Sequence, residues 1–135
     1  MSVTLQMELV TPEKLVIARQ VESVVVPGLD GDFGVLAGHI PFVSVVRPGK
    51  LVITDGPDQV SYYAVSSGYA EALPDRVTVL VDQAIAKADI QASSVRLAAQ
   101  EAEKQLAVLN EEDPNYARLK DRVAYAQVQL DMSAS

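Results

Sequence analysis

The chain has 135 residues, of which 49% are apolar, enough to build one core with an appendage and too many for wholesale disorder. Eighteen acidic against eleven basic side chains give a formal net charge of −7, a surface that repels nucleic-acid phosphates. The absence of cysteine removes disulfides, thiolate metal sites and cysteine nucleophiles, and no apolar run approaches the roughly 20 residues that span a bilayer. The opening residues Met1 to Gln6 lack the basic and long apolar segments of a signal peptide. The expectation is a chain with no direct membrane insertion, whose membrane association runs through a partner.

Glycine and proline divide the chain. All seven glycines lie between Gly28 and Gly68, and from Ala84 onward the only proline is Pro114. Turn formers punctuate short strands and are excluded from helix interiors, so a β-rich part precedes a helical part, with the boundary near 84–89. Val3, Leu5, Met7 and Leu9 alternate with polar residues up to Thr11-Pro12, a half-buried strand. Strands are expected next at Leu15 to Arg19 and Val21 to Val26, the second closed by Pro27-Gly28. Asp30-Gly31-Asp32 reads as a solvated turn. Further strands are expected at Val43 to Val46, Leu51 to Thr54, Val60 to Val65, Tyr69 to Leu73 and Val77 to Val81. Short strands, each closed by a turn signal and rich in valine, predict a β-sandwich or barrel. Tyr62, Tyr63 and Tyr69 are expected to pack on the sheet.

Val95, Ala98, Ala102, Leu106 and Leu109 make one apolar stripe on a first helix, capped by Asp89 or by Ser93 or Ser94. Asn110 is suited to the left-handed conformation that ends a helix. Asp113-Pro114 supplies an N-cap and a proline at the first helical position. Tyr116, Leu119, Val123, Ala126 and Leu130 form the second stripe. Two stripes joined by a short loop pack antiparallel. The fold class is therefore α+β, an N-terminal β-sandwich (1–86) followed by a C-terminal antiparallel α-helical hairpin (87–135). The hairpin's alanine-rich interface is thin, which predicts that it detaches or rearranges.

No catalytic constellation emerges. His39 is the only histidine, no GxSxG elbow is present, and Gly28, Gly31 and Gly34 match neither a Walker nor a Rossmann pattern. Asp30 and Asp32 lack the further ligands of a calcium loop. A lone histidine is more often hydrogen-bonded structure than catalyst. No catalytic, metal-binding or cofactor-binding residue is expected, and the chain reads as an interaction protein.

Two blocks carry a family resemblance. Val26-Pro27-Gly28-Leu29-Asp30-Gly31-Asp32-Phe33-Gly34-Val35-Leu36-Ala37-Gly38-His39-Ile40-Pro41-Phe42, with Pro48-Gly49 opening the next strand, resembles the glycine-rich signature of the epsilon subunit of bacterial F-type ATP synthase. Val65-Ser66-Ser67-Gly68-Tyr69-Ala70-Glu71, then Val77-Thr78-Val79-Leu80 and Ala84-Ile85, resembles that family's second conserved block. The resemblance implies a non-catalytic subunit of the rotating central stalk, peripheral on the cytoplasmic face of a bacterial plasma membrane. It implies the gamma subunit and the membrane rotor ring as partners, with the catalytic alpha and beta subunits reached through the hairpin. Asp32 and His39 match positions facing the ring, with Phe33 and Leu36 as apolar neighbours.

In many members the hairpin blocks hydrolysis when extended, or stays folded around ATP. Here the ATP motif is reduced to Ile90-Gln91-Ala92-Ser93-Ser94-Val95, without its aspartate and arginine, so no tight nucleotide site is expected. Arg118, Lys120 and Arg122 are the candidate regulatory contacts of the hairpin. The competing reading from the residues is a free-standing ligand-binding β-sandwich protein or hydrolase, with Asp30, Asp32 and His39 as its site. That reading requires a concave pocket around those three.

Overall fold

The computed structural model describes residues 3–135. Ten strands precede two helices: β1 (Leu5–Val10), β2 (Leu15–Val21), β3 (Ser23–Gly28), β4 (Gly31–Leu36), β5 (Phe42–Val46), β6 (Gly49–Gly56), β7 (Gln59–Val65), β8 (Gly68–Leu73), β9 (Arg76–Val81), β10 (Ala84–Ala86), α1 (Ala92–Ala107) and α2 (Tyr116–Ser133). Hydrogen bonding follows the order β10-β7-β6-β3-β5-β8-β9-β1-β2, with β4 paired to β3. The β3–β5 link is the single pair Gly28↔Val46, and there the sheet folds over on itself. One layer is β4-β3-β6-β7-β10 and the other is β5-β8-β9-β1-β2. Val24, Val26, Val35, Leu51, Ile53 and Val65 from the first layer meet Leu5, Met7, Leu9, Val21, Val77 and Val79 from the second in one core. The β-sandwich followed by two helices is the architecture that the glycine and proline distribution predicts.

Several boundaries differ, each for a tertiary reason. The expected break near Gln20 falls at Glu22 instead. Val21 is buried opposite Leu5 in one layer, whereas Glu22 N donates to Thr54 O at 2.8 Å in the other, so the chain changes layers at that residue. Asp30-Gly31-Asp32 is not simply a turn. Leu29 and Asp30 make the turn, Gly31 takes φ +136°, and Asp32 already stands on β4, opposite Pro27. A short tenth strand, β10, pairs Ala84–Ala86 with β7, a segment too brief to show a period.

In the hairpin, Asp89 belongs to a 3-10 turn (Lys87–Asp89), and Gln91 precedes α1 without a side-chain cap, so neither Asp89 nor Ser93 nor Ser94 caps it. Asn110 is not left-handed; its Oδ1 accepts from Glu112 N at 3.1 Å and turns the connection by that route. Asp113 Oδ1 accepts from Asn115 N at 2.8 Å, the bond an N-cap makes, although regular helix starts at Tyr116.

The stripes are also richer than the period shows. In α1, Ala102 is buried and Val95 and Leu106 are half-buried as the stripe predicts, but Ala98 is exposed and its neighbour Ala99 is buried in its place. On α2, Leu119 and Ala126 are buried as expected, but Tyr125, Gln129 and Met132 are buried too. Tyr125 and Met132 meet Ala64 of β7, with Ile85, Ile90 and Val128 packed around them, so α2 has one face for α1 and another for the sandwich. Lys87 Nζ lies 3.2 Å from Ser135 Oγ and 5.5 Å from the Tyr62 ring centre, at the end of this junction.

Candidate functional site

The outer face of the second layer is the largest departure from a water-facing sheet. Side chains alternate across a strand, so the inward set Ala70, Ala72, Val77 and Val79 leaves Tyr69, Glu71, Thr78 and Leu80 pointing out. Register then aligns apolar residues from neighbouring strands. Val45 pairs with Tyr69, Tyr69 with Leu80, Leu80 with Val10, and Val10 with Leu15. Four strand spacings make this row roughly 19 Å long. Tyr69 is 62% exposed, Leu80 50% and Leu15 55%. A cleft of about 550 Å³ opens along it, bordered by Thr11, Pro12, Ser67 and Asp82. Tyr69, expected to pack on the sheet, therefore faces out; Tyr63 does pack against the core, and Tyr62 lies under the ammonium groups of Lys50 and Lys87.

The glycine-rich segment runs from β3 and β4 of the first layer to β5, the edge strand of the second. Asp32 is the second residue of β4 and Leu36 the last, so the two share a side of the strand but stand about 13 Å apart. Phe33 points the other way and meets Phe42 edge-on, with ring centres 5.2 Å apart. The His39 ring is 6.4 Å from Phe42, and its Nδ1 donates to Ile40 O at 2.6 Å, which assigns that nitrogen the proton. Phe33, Phe42 and His39 thus form one cluster, with Asp32 on the opposite side of β4. Asp32 forms an ion pair with Arg47. Leu36 and Ile40 are exposed apolar residues of this segment, and Val43 continues them toward the row.

Arg118, Lys120 and Arg122 are all exposed on α2. Arg118 Nη2 approaches Asn115 Oδ1 at 3.5 Å. Arg122 borders a cleft of about 410 Å³ between the hairpin and the sandwich, with Gln83, Tyr125 and Gln129. Spacing puts Arg118 and Arg122 on one side of the helix and Lys120 on another.

Asp30, Asp32 and His39 do not converge. His39 is committed to a backbone carbonyl, Asp32 to Arg47, and the two clefts just described have neither these residues nor Asp30 in their walls. Among the described residues no group of three or more His, Asp or Glu side chains is placed to hold a metal, and no helix is long and apolar enough to cross a membrane. Single-sequence reasoning did not identify the Val45–Tyr69–Leu80–Val10–Leu15 row. The available signal was that the odd-parity positions of β5 and β8 hold Val43, Val45 and Tyr69 where an exposed face usually holds polar residues. Arg47 gave no local signal.

Fold and surface together define a class: a β-sandwich with a helical hairpin, carrying an exposed apolar row on one sheet face. Residues 4–87 match the family model described as ATP synthase, Delta/Epsilon chain, beta-sandwich domain. The ATP synthase epsilon chain of Magnetococcus marinus is 42% identical over 96% of this chain and 94% of its own length. That of Anaeromyxobacter dehalogenans (strain 2CP-1) is 36% identical over 96% and 97%. The chain belongs to the ATP synthase epsilon-chain family. Its fold is also that of a chain in the Euglena gracilis mitochondrial ATP synthase OSCP/F1/c-ring structure, at a TM-score of 0.77 and 19% identity, covering 98% of this chain and 82% of that one. A chain from the Tetrahymena thermophila mitochondrial ATP synthase central stalk/c-ring structure gives 0.68 at 14% identity, covering 98% of both.

Proposed function

We propose that this chain is a non-catalytic central-stalk subunit of a proton-translocating ATP synthase, linking the gamma subunit to the membrane rotor ring so that proton-driven rotation reaches the catalytic sector. The observation that carries the reading is the outward-facing apolar row Val45–Tyr69–Leu80–Val10–Leu15, exposed at all but the half-buried Val10, on a folded sheet. Apolar rows of this length on a finished sheet are interface, because water gains by their removal. Gamma covers this face and takes most of its affinity from Tyr69 and Leu80.

The loop bearing Asp32, Phe33, Leu36 and His39 faces the polar loops of the ring, with Leu36 and Ile40 as its apolar contacts. Residues 1–86 form the rotor-binding domain and residues 87–135 a regulatory hairpin, whose Arg118, Lys120 and Arg122 meet acidic segments of the catalytic subunits when it swings out. No bond is made or broken by the subunit itself. It sits peripherally, on the cytoplasmic face of a bacterial plasma membrane. Family membership supports this reading, as do the central-stalk and c-ring assemblies in which similarly folded chains occur.

The test is co-purification of the tagged chain from gently solubilised membranes. Recovery of gamma, alpha, beta and the ring in fixed ratio is the expected result. A folded chain that elutes alone overturns the assignment.

A further inference from the structure

Asp32 does not stand free at the tip of the β3–β4 hairpin, because Arg47 Nη2 donates to its Oδ1. Arg47 N donates to Pro27 O and Leu29 N to Val45 O, both at 2.9 Å, which seats the β5–β6 connection beside the hairpin base. Asp32 is the cross-strand partner of that same Pro27, so the Arg47 side chain need only cross one residue to reach it. Gly49 keeps the path open. A Cβ there would lie 2.6 Å from Pro27 Cβ and 2.8 Å from Arg47 Nη1, so the guanidinium rests where a side chain would otherwise be. The opposite side of the tip is anchored by the edge-on Phe33–Phe42 contact.

Resting on the rotor-ring reading above, we propose that Arg47 is a positioning residue of the ring-facing loop: its guanidinium, laid over Gly49 and across Pro27, holds the Asp32 carboxylate and the start of β4 in place before the partner arrives. Among the described residues Oδ2 of Asp32 has no hydrogen-bond donor, so the held carboxylate keeps one oxygen for a basic group of the partner. The pair is locally neutral. Recognition at this tip therefore depends on a fixed shape and one shared carboxylate, with little long-range attraction. Without Arg47 the same carboxylate is a mobile bare charge.

The experiment is amide hydrogen exchange on the full chain, compared with variants Arg47→Met, Arg47→Lys, Asp32→Asn and the double variant Arg47→Met/Asp32→Asn. Arg47→Met and Asp32→Asn are each expected to accelerate ladder amides of residues 31–34 by about two- to five-fold, the scale of an exposed ion pair, and the double variant by no more than either alone. Arg47→Lys restores the charge without the planar fork and recovers part of the protection. A second readout is binding to rotor subcomplex lacking this chain, at low and high salt. Arg47→Met is expected to bind about two- to five-fold more weakly at high salt and to show a steeper salt dependence than the parent. Exchange at 31–34 that is the same in Arg47→Met and the parent overturns the proposal and leaves the ring reading standing. Accelerated exchange with unaltered binding at every salt concentration overturns it by removing the ring reading on which it rests.

Discussion

Replacing Tyr69 by alanine separates assembly from folding. The side chain is 62% exposed in the isolated chain. An aromatic side chain buries about 150–250 Å², so roughly 90–150 Å² of this one waits to be covered by the partner. At about 25 cal/mol per Å² that coverage is worth about 2–4 kcal/mol, or roughly 50- to 700-fold in Kd. The folding cost is smaller. Tyr69 leaves only its cross-strand contacts with Val45 and Leu80, worth about 0.2–1 kcal/mol each. Biolayer interferometry of the full chain against immobilised gamma subunit, alongside a thermal melt, reads both quantities. The expected outcome is a loss of affinity of at least ten-fold with a melting point lowered by a few degrees. A Tyr69→Ala/Leu80→Ala double variant that melts as a folded chain and still binds gamma within three-fold of the parent refutes the assignment of this face.

Other outcomes follow from single positions. Gly68→Ala places a Cβ 1.9 Å from Leu80 O and 2.8 Å from Val81 Cα, so β8 and β9 must part; a loss of about 2–4 kcal/mol in urea unfolding is expected, against well under 1 for Gly34→Ala, where no atom lies within 4 Å. Tyr125 is buried against the sandwich, and burial raises its phenol from 10.0 to about 12. Its folded value exceeds the unfolded one, so its contribution is whole below pH 10 and is lost as pH rises toward 12. Near-ultraviolet circular dichroism should report the hairpin loosening by about 2 kcal/mol across that window, an effect absent in Tyr125→Phe. Calorimetric titration with Mg-ATP is expected to give no heat of micromolar binding, because the hairpin lacks the aspartate and arginine of the nucleotide motif.

Much of the sandwich was legible because its determinants are local. The period-two run of β1, the Pro27-Gly28, Pro48-Gly49 and Asp55-Gly56-Pro57 stops, and the glycine-free stretch after Ala84 each act within a few residues, as do the pattern matches of the 26–42 segment. Helix ends were less legible. Asp89 and Asn110 have the chemistry of caps, but the packing of α2 on β7 and the Lys87–Asp89 turn decide where the helices begin and stop. The second face of α2, with Tyr125, Gln129 and Met132, shares its helix with the stripe that meets α1, and one sequence period does not reveal two partners.

What the sequence alone determined was the division into sandwich and hairpin and the family of the 26–42 loop, both properties of neighbours along the chain. Tertiary structure decided which residues share a surface. The apolar row gathers one residue from each of five strands, and the Asp32–Arg47 pair joins positions brought together only by the β3–β5 junction at Gly28 and Val46. Both depend on strand register and on where the sheet folds over, which the whole core fixes at once.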